Sequence, residues 1–230
     1  MRLCNWDDLP SEMKNQSVRG YFDILERKGF ELFLKRVFDL LAALTTFIVL
    51  FPLMIVLSIA VKVDSKGPVI FCQERVTQYG KRFKIYKFRS MVPNAESIGP
   101  SITPNNDNRV TRIGYFLRRH RLDEFPQLLN IIKGDMTFVG TRPEVARYVE
   151  KYTDEMKATL LLPAGATSEA SIMYKGEGAL LDDAEDPDKT YLEIVLPQKM
   201  KFNLNSLRNF SLLREFHLLF KTVAVVLGAK

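Results

Sequence analysis

The sequence predicts an α+β protein that is attached to a membrane. Three observations support this fold class: an uncharged apolar run at residues 40–61, two short stretches with strand-like composition, and later segments with apolar residues at helical spacing. A chain of 230 residues is long enough for one main domain with appendages. Its net charge of +6 favours an anionic partner, which would be nucleic acid, anionic lipid or a phosphorylated ligand.

The apolar run could reach across a bilayer, but it has two unusual features. Its 22 residues would form a straight helix about 33 Å long. Pro52 lies near the middle and removes a helix hydrogen bond. Basic residues flank the run on both sides, and the positive-inside rule places such residues in the cytoplasm. A re-entrant helix that breaks at Pro52 would keep both flanks inside, whereas a single crossing would not. A buried core helix is a third interpretation, although uncharged runs of this length are unusual in soluble domains.

The segment after the run is strongly basic and predicts a β-hairpin. Residues 62–89 contain eight Lys or Arg and two acids. Residues 69–71 and 83–88 are predicted strands, and residues 79–81 are predicted to form the turn between them. One cationic face of this hairpin could hold lipid headgroups or a diphosphate. The alternative is a solvated basic face.

Two adjacent acids, Asp123 and Glu124, follow a predicted helix at residues 109–121 that carries several arginines. In the structural interpretation, Asp123 caps a helix that begins at Pro126 and ends at Gly134, while Glu124 pairs with an arginine. In the chemical interpretation, the helix dipole and the cations keep the acid ionised, and it attacks phosphorus. Its neighbour would then hold Mg²⁺.

The few cysteines and histidines limit the kinds of disulfide and metal site that the chain can form. Cys4 and Cys72 lie far apart, so a disulfide framework is not expected and a reducing cytosol fits. With only two histidines, His120 and His217, any metal should be a hard, oxygen-ligated ion such as Mg²⁺.

The chain contains the motifs KRVFDL (35–40), GPVIFCQERV (67–76), YKFRSM (86–91), RVTRIGYFLRR (109–119) and LDEFPQLLNIIKGDMTFVGTRPE (122–144). These motifs resemble those of the bacterial sugar transferases, also called monotopic phosphoglycosyl transferases. The resemblance runs from about residue 35 to the C-terminus, and it implies a re-entrant helix-break-helix at residues 34–62 with the break at Pro52. The family commonly has a serine before this proline, and Phe51 stands there instead. Larger members carry extra transmembrane helices before this core, so a core-only form is expected.

The resemblance also implies a reaction and its residues. A sugar phosphate would pass from a UDP-sugar to polyprenyl phosphate, usually undecaprenyl phosphate, with release of UMP. This is the first membrane step in assembling exopolysaccharide, capsule, O-antigen or a glycoprotein glycan. Asp123 would attack the sugar-bearing phosphate, and Glu124 would help to bind Mg²⁺. The positions that match phosphate-binding or other recurring polar sites are Arg118, Arg142, Pro143, Gln73, Arg75, Lys87 and Arg89.

The expected organisation follows from these motifs. It comprises an N-terminal surface segment at 1–33, the re-entrant helix at 34–62, a cytoplasmic catalytic domain at 63–206 and an amphipathic helix at 207–230. The expected location is the bacterial inner membrane, with the catalytic domain on the cytoplasmic face. Inner-membrane lipids are expected partners, nucleic acid is not, and a homodimer is left open. Two other functions also stay open: a membrane-anchored binding protein, and an enzyme in which the lipid phosphate attacks the UDP-sugar directly.

Overall fold

A computed structural model of the protein describes residues 1, 3–95, 107–174, 180–181 and 184–226. This part of the chain is α+β, as predicted, with helices arranged around two small sheets. The helices are α1 (Gln16–Glu26), α2 (Gly29–Asp64), α3 (Arg112–Arg119), α4 (Gln127–Lys133), α5 (Ala146–Val149), α6 (Glu169–Met173), α7 (Pro187–Thr190), α8 (Leu196–Arg208) and α9 (Leu212–Val226).

The predicted β-hairpin is confirmed. It consists of β1 (Ile70–Val76) and β2 (Arg82–Phe88), which pair antiparallel across a turn with left-handed Tyr79 and Gly80. Directly paired residues share a face, so Gln73 and Arg75 lie on the same face as buried Ile85 and Phe83. Lys87 belongs to this inner face by the same register. On the outer face, Arg82 and Lys84 are exposed.

A parallel pair of strands, β3 (Met136–Val139) and β4 (Ala164–Thr167), supports the loop that carries Arg142. Gly140 and Gly165 let the two strand ends meet, because a Cβ on Gly165 would lie 2.2 Å from the carbonyl oxygen of Gly140. The Gly165 N–H donates to the Thr141 carbonyl oxygen at 2.8 Å. The backbone that leads into Arg142 is therefore held in place from β4.

Helix α2 contains the apolar run and packs on the rest of the protein along one stripe. The buried residues of this 36-residue helix recur at helical spacing, and most of its other large apolar side chains are exposed. Of the helices in the described ranges, only α2 is long and apolar enough to cross a membrane, with a mean hydropathy of 2.7 in its most apolar window. The buried stripe consists of Leu32, Lys35, Asp39, Ala43, Met54, Leu57 and Val61.

The predicted break at Pro52 is not seen as an interruption of this helix, which is continuous from Gly29 to Asp64. A proline removes one backbone donor, and the neighbouring hydrogen bonds can continue the helix on both sides. Any change of direction must therefore be a bend within α2. Pro52 itself is exposed.

Both ends of α2 are attached to the two helices that surround Asp123 and Glu124. Near its start, Arg36 donates to the carbonyl oxygens of Ile131 and Ile132 at 2.6 and 2.9 Å, at the C-terminal end of α4. At its end, Asp64 accepts a 3.1 Å hydrogen bond from the Ile113 N–H, in the first turn of α3. A cation at a helix C-terminus and an anion at a helix N-terminus both match the helix dipole. Helix α2 thus holds α4 with one end and α3 with the other.

A buried cluster of charges anchors the N-terminal part of α2. Lys35 donates to the Val139 carbonyl oxygen at 3.0 Å and forms an ion pair with Glu215 of α9. Asp39 accepts a hydrogen bond from the Thr137 hydroxyl of β3. Because all of these groups are buried, loss of one partner would leave an uncompensated charge, which typically costs about 3–5 kcal/mol. This part of α2 is therefore fixed to β3 and α9.

The two ends of the chain differ from the sequence prediction. Residues 1–33 were expected on the surface, but Val18, Phe22 and Leu25 are at most 1% exposed and pack against Leu161. The charged residues between these side chains hide their common face in the sequence. The predicted C-terminal helix at 207–230 begins later, because α8 extends to Arg208 and α9 covers Leu212–Val226, with residues beyond 226 outside the described ranges.

Candidate active site

The two predicted carboxylates lie on a 3-10 turn between α3 and α4, and we call this turn, Leu122–Glu124, the acidic turn. Arg121 precedes it in a left-handed conformation with φ of 53°, which ends α3. Asp123 is 9% exposed. Helix α4 begins at Gln127 without a side-chain cap. The interpretation of Asp123 as an N-cap is therefore wrong, because the extra turn separates its carboxylate from the first amides of α4.

Glu124 is held by two cations that come from other elements of the fold. Its Oε1 accepts hydrogen bonds from Arg142 at 2.6 Å and from Lys87 at 3.1 Å. Lys87 lies on β2 and Arg142 on the loop after β3, so three elements meet at one oxygen atom. Burial favours the neutral carboxyl, but the charges of Arg142 and Lys87 outweigh it and hold the pKa of Glu124 well below its usual value. Glu124 is therefore ionised at neutral pH.

Asp123 has a different environment, although it is the neighbouring residue. Among the described residues, the ion pairs of the acidic turn go to Glu124 and none goes to Asp123. Burial raises the pKa of Asp123, and the charges of Lys87 and Arg118 oppose that rise. The nearby cations therefore lower the pKa of Glu124, whereas at Asp123 they only oppose the rise that burial causes. Because Asp123 has a raised pKa and no ion-pair partner in the described ranges, its carboxylate oxygens are available to interact with a ligand.

Arg118 approaches Asp123 from the last turn of α3. Its Nε donates to the hydroxyl of Ser90 at 2.9 Å, a partner that the sequence analysis missed although it lies in the YKFRSM motif. Burial lowers the pKa of Arg118 and the charge of Asp123 opposes this. Helix α3 can approach Ser90 because a Cβ on Gly114 would lie 2.0 Å from the Ser90 carbonyl oxygen, so only glycine fits. The guanidinium is thereby fixed close to the acidic turn.

Arg75 is fixed on the inner face of the hairpin, beside the loop of Arg142. Its Nε and Nη2 donate to Gln73 Oε1 at 2.9 and 2.6 Å, and its Nη1 donates to the carbonyl oxygen of buried Pro143 at 3.2 Å. Pro143 directly follows Arg142, so Arg75 is bonded to the loop that carries Arg142. Burial lowers the pKa of Arg75, and the charge of Arg142 adds to this effect. Gln73, Arg75, Pro143 and Arg142 therefore belong to one region of the structure, next to Lys87 and Glu124.

Arg89 and Pro52 lie away from this group. The Arg89 guanidinium donates to the carbonyl oxygens of Val61 and Ser65, at 3.2 and 2.7 Å, and also to that of Pro68. Arg89 is 6% exposed, so it joins the end of α2 to the hairpin from a buried position. Its contacts within the described ranges are those of a structural residue. Pro52 lies in the exposed part of α2.

The described residues do not form a preformed metal centre. No group of three or more His, Cys, Asp or Glu side chains is close enough to hold a metal ion in these parts of the chain. Glu124 uses Oε1 for its two cations, and its other oxygen is available as a ligand. Mg²⁺ at phosphate sites is commonly held by one or two carboxylates together with the phosphates of the ligand. The acidic turn fits an ion that is shared with a phosphorylated ligand in this way.

The fold and the site define a class of protein in which an unpaired carboxylate, surrounded by cations, lies beside an apolar helix suited to a membrane. The chain belongs to the bacterial sugar transferase family, whose family model matches residues 30–229. This confirms the resemblance that the motifs predicted.

Individual relatives agree with this family. The UDP-N-acetylgalactosamine-undecaprenyl-phosphate N-acetylgalactosaminephosphotransferase of Aeromonas hydrophila is 34% identical over 198 residues, which is 85% of this chain and 44% of that protein. The undecaprenyl-phosphate galactose phosphotransferase of Salmonella typhimurium is 35% identical over 210 residues, 85% of this chain and 40% of that protein. A relative from Bacillus subtilis is 42% identical over 158 residues, 68% of this chain and 87% of that protein. The chain thus spans less than half the length of the first two relatives.

Proposed function

We propose that the protein transfers a sugar phosphate from a UDP-sugar to polyprenyl phosphate, with undecaprenyl phosphate as the expected acceptor, and releases UMP. The observation that carries this proposal is the state of Asp123, which is buried, has a raised pKa and has no ion-pair partner among the described residues. The names of the relatives, which join an undecaprenyl phosphate to a sugar phosphotransferase activity, support the reaction class. Their sugars differ, so the donor sugar has to be found by experiment.

In the first step, an Asp123 carboxylate oxygen attacks the sugar-bearing phosphorus of the donor. A new P–O bond forms to the aspartyl oxygen, and the bond to the bridging oxygen breaks, so that UMP leaves with the electron pair. In the second step, an oxygen of the lipid phosphate attacks the same phosphorus. The aspartyl oxygen leaves, the carboxylate of Asp123 is regenerated, and polyprenyl diphosphate sugar is formed.

The other site residues stabilise charge and position the donor. Arg142 and Lys87 share Glu124, so two cations face a single carboxylate and one net positive charge remains for the phosphate. Arg118 is fixed by Ser90 beside Asp123 and can bind a further phosphate oxygen. Glu124 Oε2 would hold Mg²⁺ together with the donor, and the bound ion would neutralise phosphate charge. These interactions strengthen as negative charge develops on the leaving oxygen.

A UMP-release assay tests the proposal. Purified protein in detergent is incubated with a panel of UDP-sugars, undecaprenyl phosphate and Mg²⁺, and we expect UMP from at least one donor. With the donor alone, mass spectrometry should find a phosphosugar on the peptide that contains Asp123. Release of UMP without such an adduct would favour direct attack by the lipid phosphate. No UMP from any donor would overturn the proposal.

We further propose that α2 enters the cytoplasmic leaflet and returns, in the inner membrane, without crossing it. Both of its ends are bonded to the same catalytic body, through Arg36 to α4 and through Asp64 to α3. A straight crossing would place these two ends on opposite sides of the bilayer. The apolar surface opposite the buried stripe would then face lipid, and the acidic turn would lie at headgroup depth, where the acceptor phosphate is located.

Cysteine labelling checks this topology. After Cys4 and Cys72 are replaced by serine, single cysteines are introduced as Phe30→Cys and Lys66→Cys, at two exposed positions near the ends of α2. In intact cells, we expect a membrane-impermeant maleimide to label neither site, and both to react after permeabilisation. Labelling of only one site in intact cells would restore the single-crossing arrangement.

A further inference from the structure

A second carboxylate, Glu144, lies two residues after Arg142 and is 7% exposed. Its backbone is fixed, because the Val76 N–H donates to the Glu144 carbonyl oxygen at 2.9 Å. Its Oε1 accepts a hydrogen bond from the hydroxyl of Tyr191, and its Oε2 lies 3.9 Å from Arg75 Nη1. Glu144 therefore stands between a tyrosine of the C-terminal region and a cation of the hairpin.

The cations of the site form two neighbouring groups, each with its own carboxylate. Glu124 accepts hydrogen bonds from Lys87 and Arg142. Glu144 Oε2 lies farther from its cation, at 3.9 Å from Arg75 Nη1, and the Arg75 side chain remains 23% exposed. A UDP-sugar also carries two adjacent anionic groups. Because the Glu124 group is next to Asp123, it fits the phosphate that is attacked, and the Arg75 group fits the phosphate that leaves with the nucleotide.

Tyr191 determines where the Glu144 carboxylate can lie. It is 5% exposed and begins a π-helical turn, Tyr191–Val195, a rare element that often occurs at functional sites. Its ring packs against Tyr148 with centroids 5.0 Å apart, and Lys199 Nζ lies 5.2 Å from its ring centroid. The hydroxyl therefore has little freedom. Without it, Glu144 could turn towards Arg75, shorten the 3.9 Å separation and occupy the guanidinium.

We infer that Tyr191 and Glu144 are positioning residues that keep Arg75 available for the phosphate of the departing UMP. The inference rests on the proposed function for its choice of ligand. The interaction that it assigns is between a guanidinium and a nucleoside monophosphate group, so it can be measured by binding alone as well as by turnover.

The test uses Tyr191→Phe, which removes the hydroxyl and keeps the ring. We expect the Kd for UMP, measured by calorimetry on the full chain in detergent, to rise about tenfold, and kcat/KM for the UDP-sugar to fall by a similar factor. The value of kcat/KM for the lipid acceptor should not change. Tyr148→Phe is the matched control, because its hydroxyl bonds to Asp188 and Arg147 instead, and it should leave both donor constants unchanged.

A double-mutant cycle separates positioning from general structural damage. Arg75→Lys should weaken UMP binding, and adding Tyr191→Phe to it should cause little further loss, because both changes remove the same interaction. Fully additive losses, or unchanged UMP binding in Tyr191→Phe, would overturn the inference. An altered UMP affinity in a protein that shows no turnover with any donor would retain the inference and reject the proposed function.

Discussion

Asp123→Asn is expected to abolish UMP release and to leave the fold slightly more stable than the wild type. The amide cannot form the phosphosugar ester, and loss of a catalytic nucleophile typically costs roughly 10⁴-fold or more in turnover. The effect on stability follows from burial, which raises the pKa of this carboxyl in the folded protein. The stabilising contribution of such a group is complete below the unfolded pKa and is lost as pH rises through the folded pKa. At neutral pH the ionised carboxylate therefore opposes folding, and asparagine removes that charge.

The measurements for this variant are UMP release and the melting temperature, each between pH 5 and pH 8. Any gain in melting temperature should be larger at the higher pH. Asp154→Asn is the control, because the Asp154 side chain is 66% exposed and the same chemical change there should affect neither quantity. Turnover close to wild type, or a clear loss of stability in Asp123→Asn at neutral pH, would contradict the assigned role.

Glu124→Gln is also expected to abolish UMP release, but with the opposite effect on stability. The charges of Arg142 and Lys87 outweigh the effect of burial and lower the pKa of Glu124 in the folded protein. Its stabilising contribution is therefore present above the unfolded pKa and is lost as pH falls through the folded pKa. Glutamine leaves two cations unpaired in a site where the three side chains are 19–32% exposed. We expect a loss of about 2 kcal/mol at neutral pH, less than for a fully buried pair.

Two further variants test this explanation. Glu74→Gln removes a carboxylate whose side chain is 55% exposed and which pairs with Arg82, and it should change stability and turnover little. Adding Lys87→Met to Glu124→Gln should recover part of the lost stability, because one unpaired cation is removed. If Glu124→Gln unfolds at the wild-type temperature, the ion pairs at the acidic turn do not stabilise the fold.

Much of the site could be predicted because its parts are adjacent in sequence or have strong local patterns. The alternation of apolar and basic residues predicted β2, and Lys133-Gly134 predicted the end of α4, where Gly134 is left-handed. The pair Asp123 and Glu124 was identified by its own composition. The charge states of this pair could not be predicted, because the pKa values of Asp123 and Glu124 shift in opposite directions, and these shifts depend on residues far away in the chain.

The features that the sequence did not predict depend on tertiary contacts. Arg89 resembled the other basic residues of its segment, and only the fold shows that it binds backbone oxygens at the end of α2. Tyr191 lies 47 residues after Glu144, in a stretch without an obvious motif. In the sequence, the only indication of the contact between Glu144 and Tyr191 is Glu144 itself, which ends the GTRPE motif (140–144). The burial of Val18, Phe22 and Leu25 also depends on a tertiary contact, with Leu161, which charged neighbours in the sequence do not indicate.

The attachment of α2 to both α3 and α4 has a mechanical consequence. Arg36 and Asp64 bind the helices on either side of the acidic turn, so the curvature that α2 adopts in a membrane would set the spacing of the two helices that flank Asp123. A lipid layer that flattens or sharpens this curvature would strain the turn directly. We therefore expect turnover to depend on acyl-chain length even when the concentrations of both substrates are held constant.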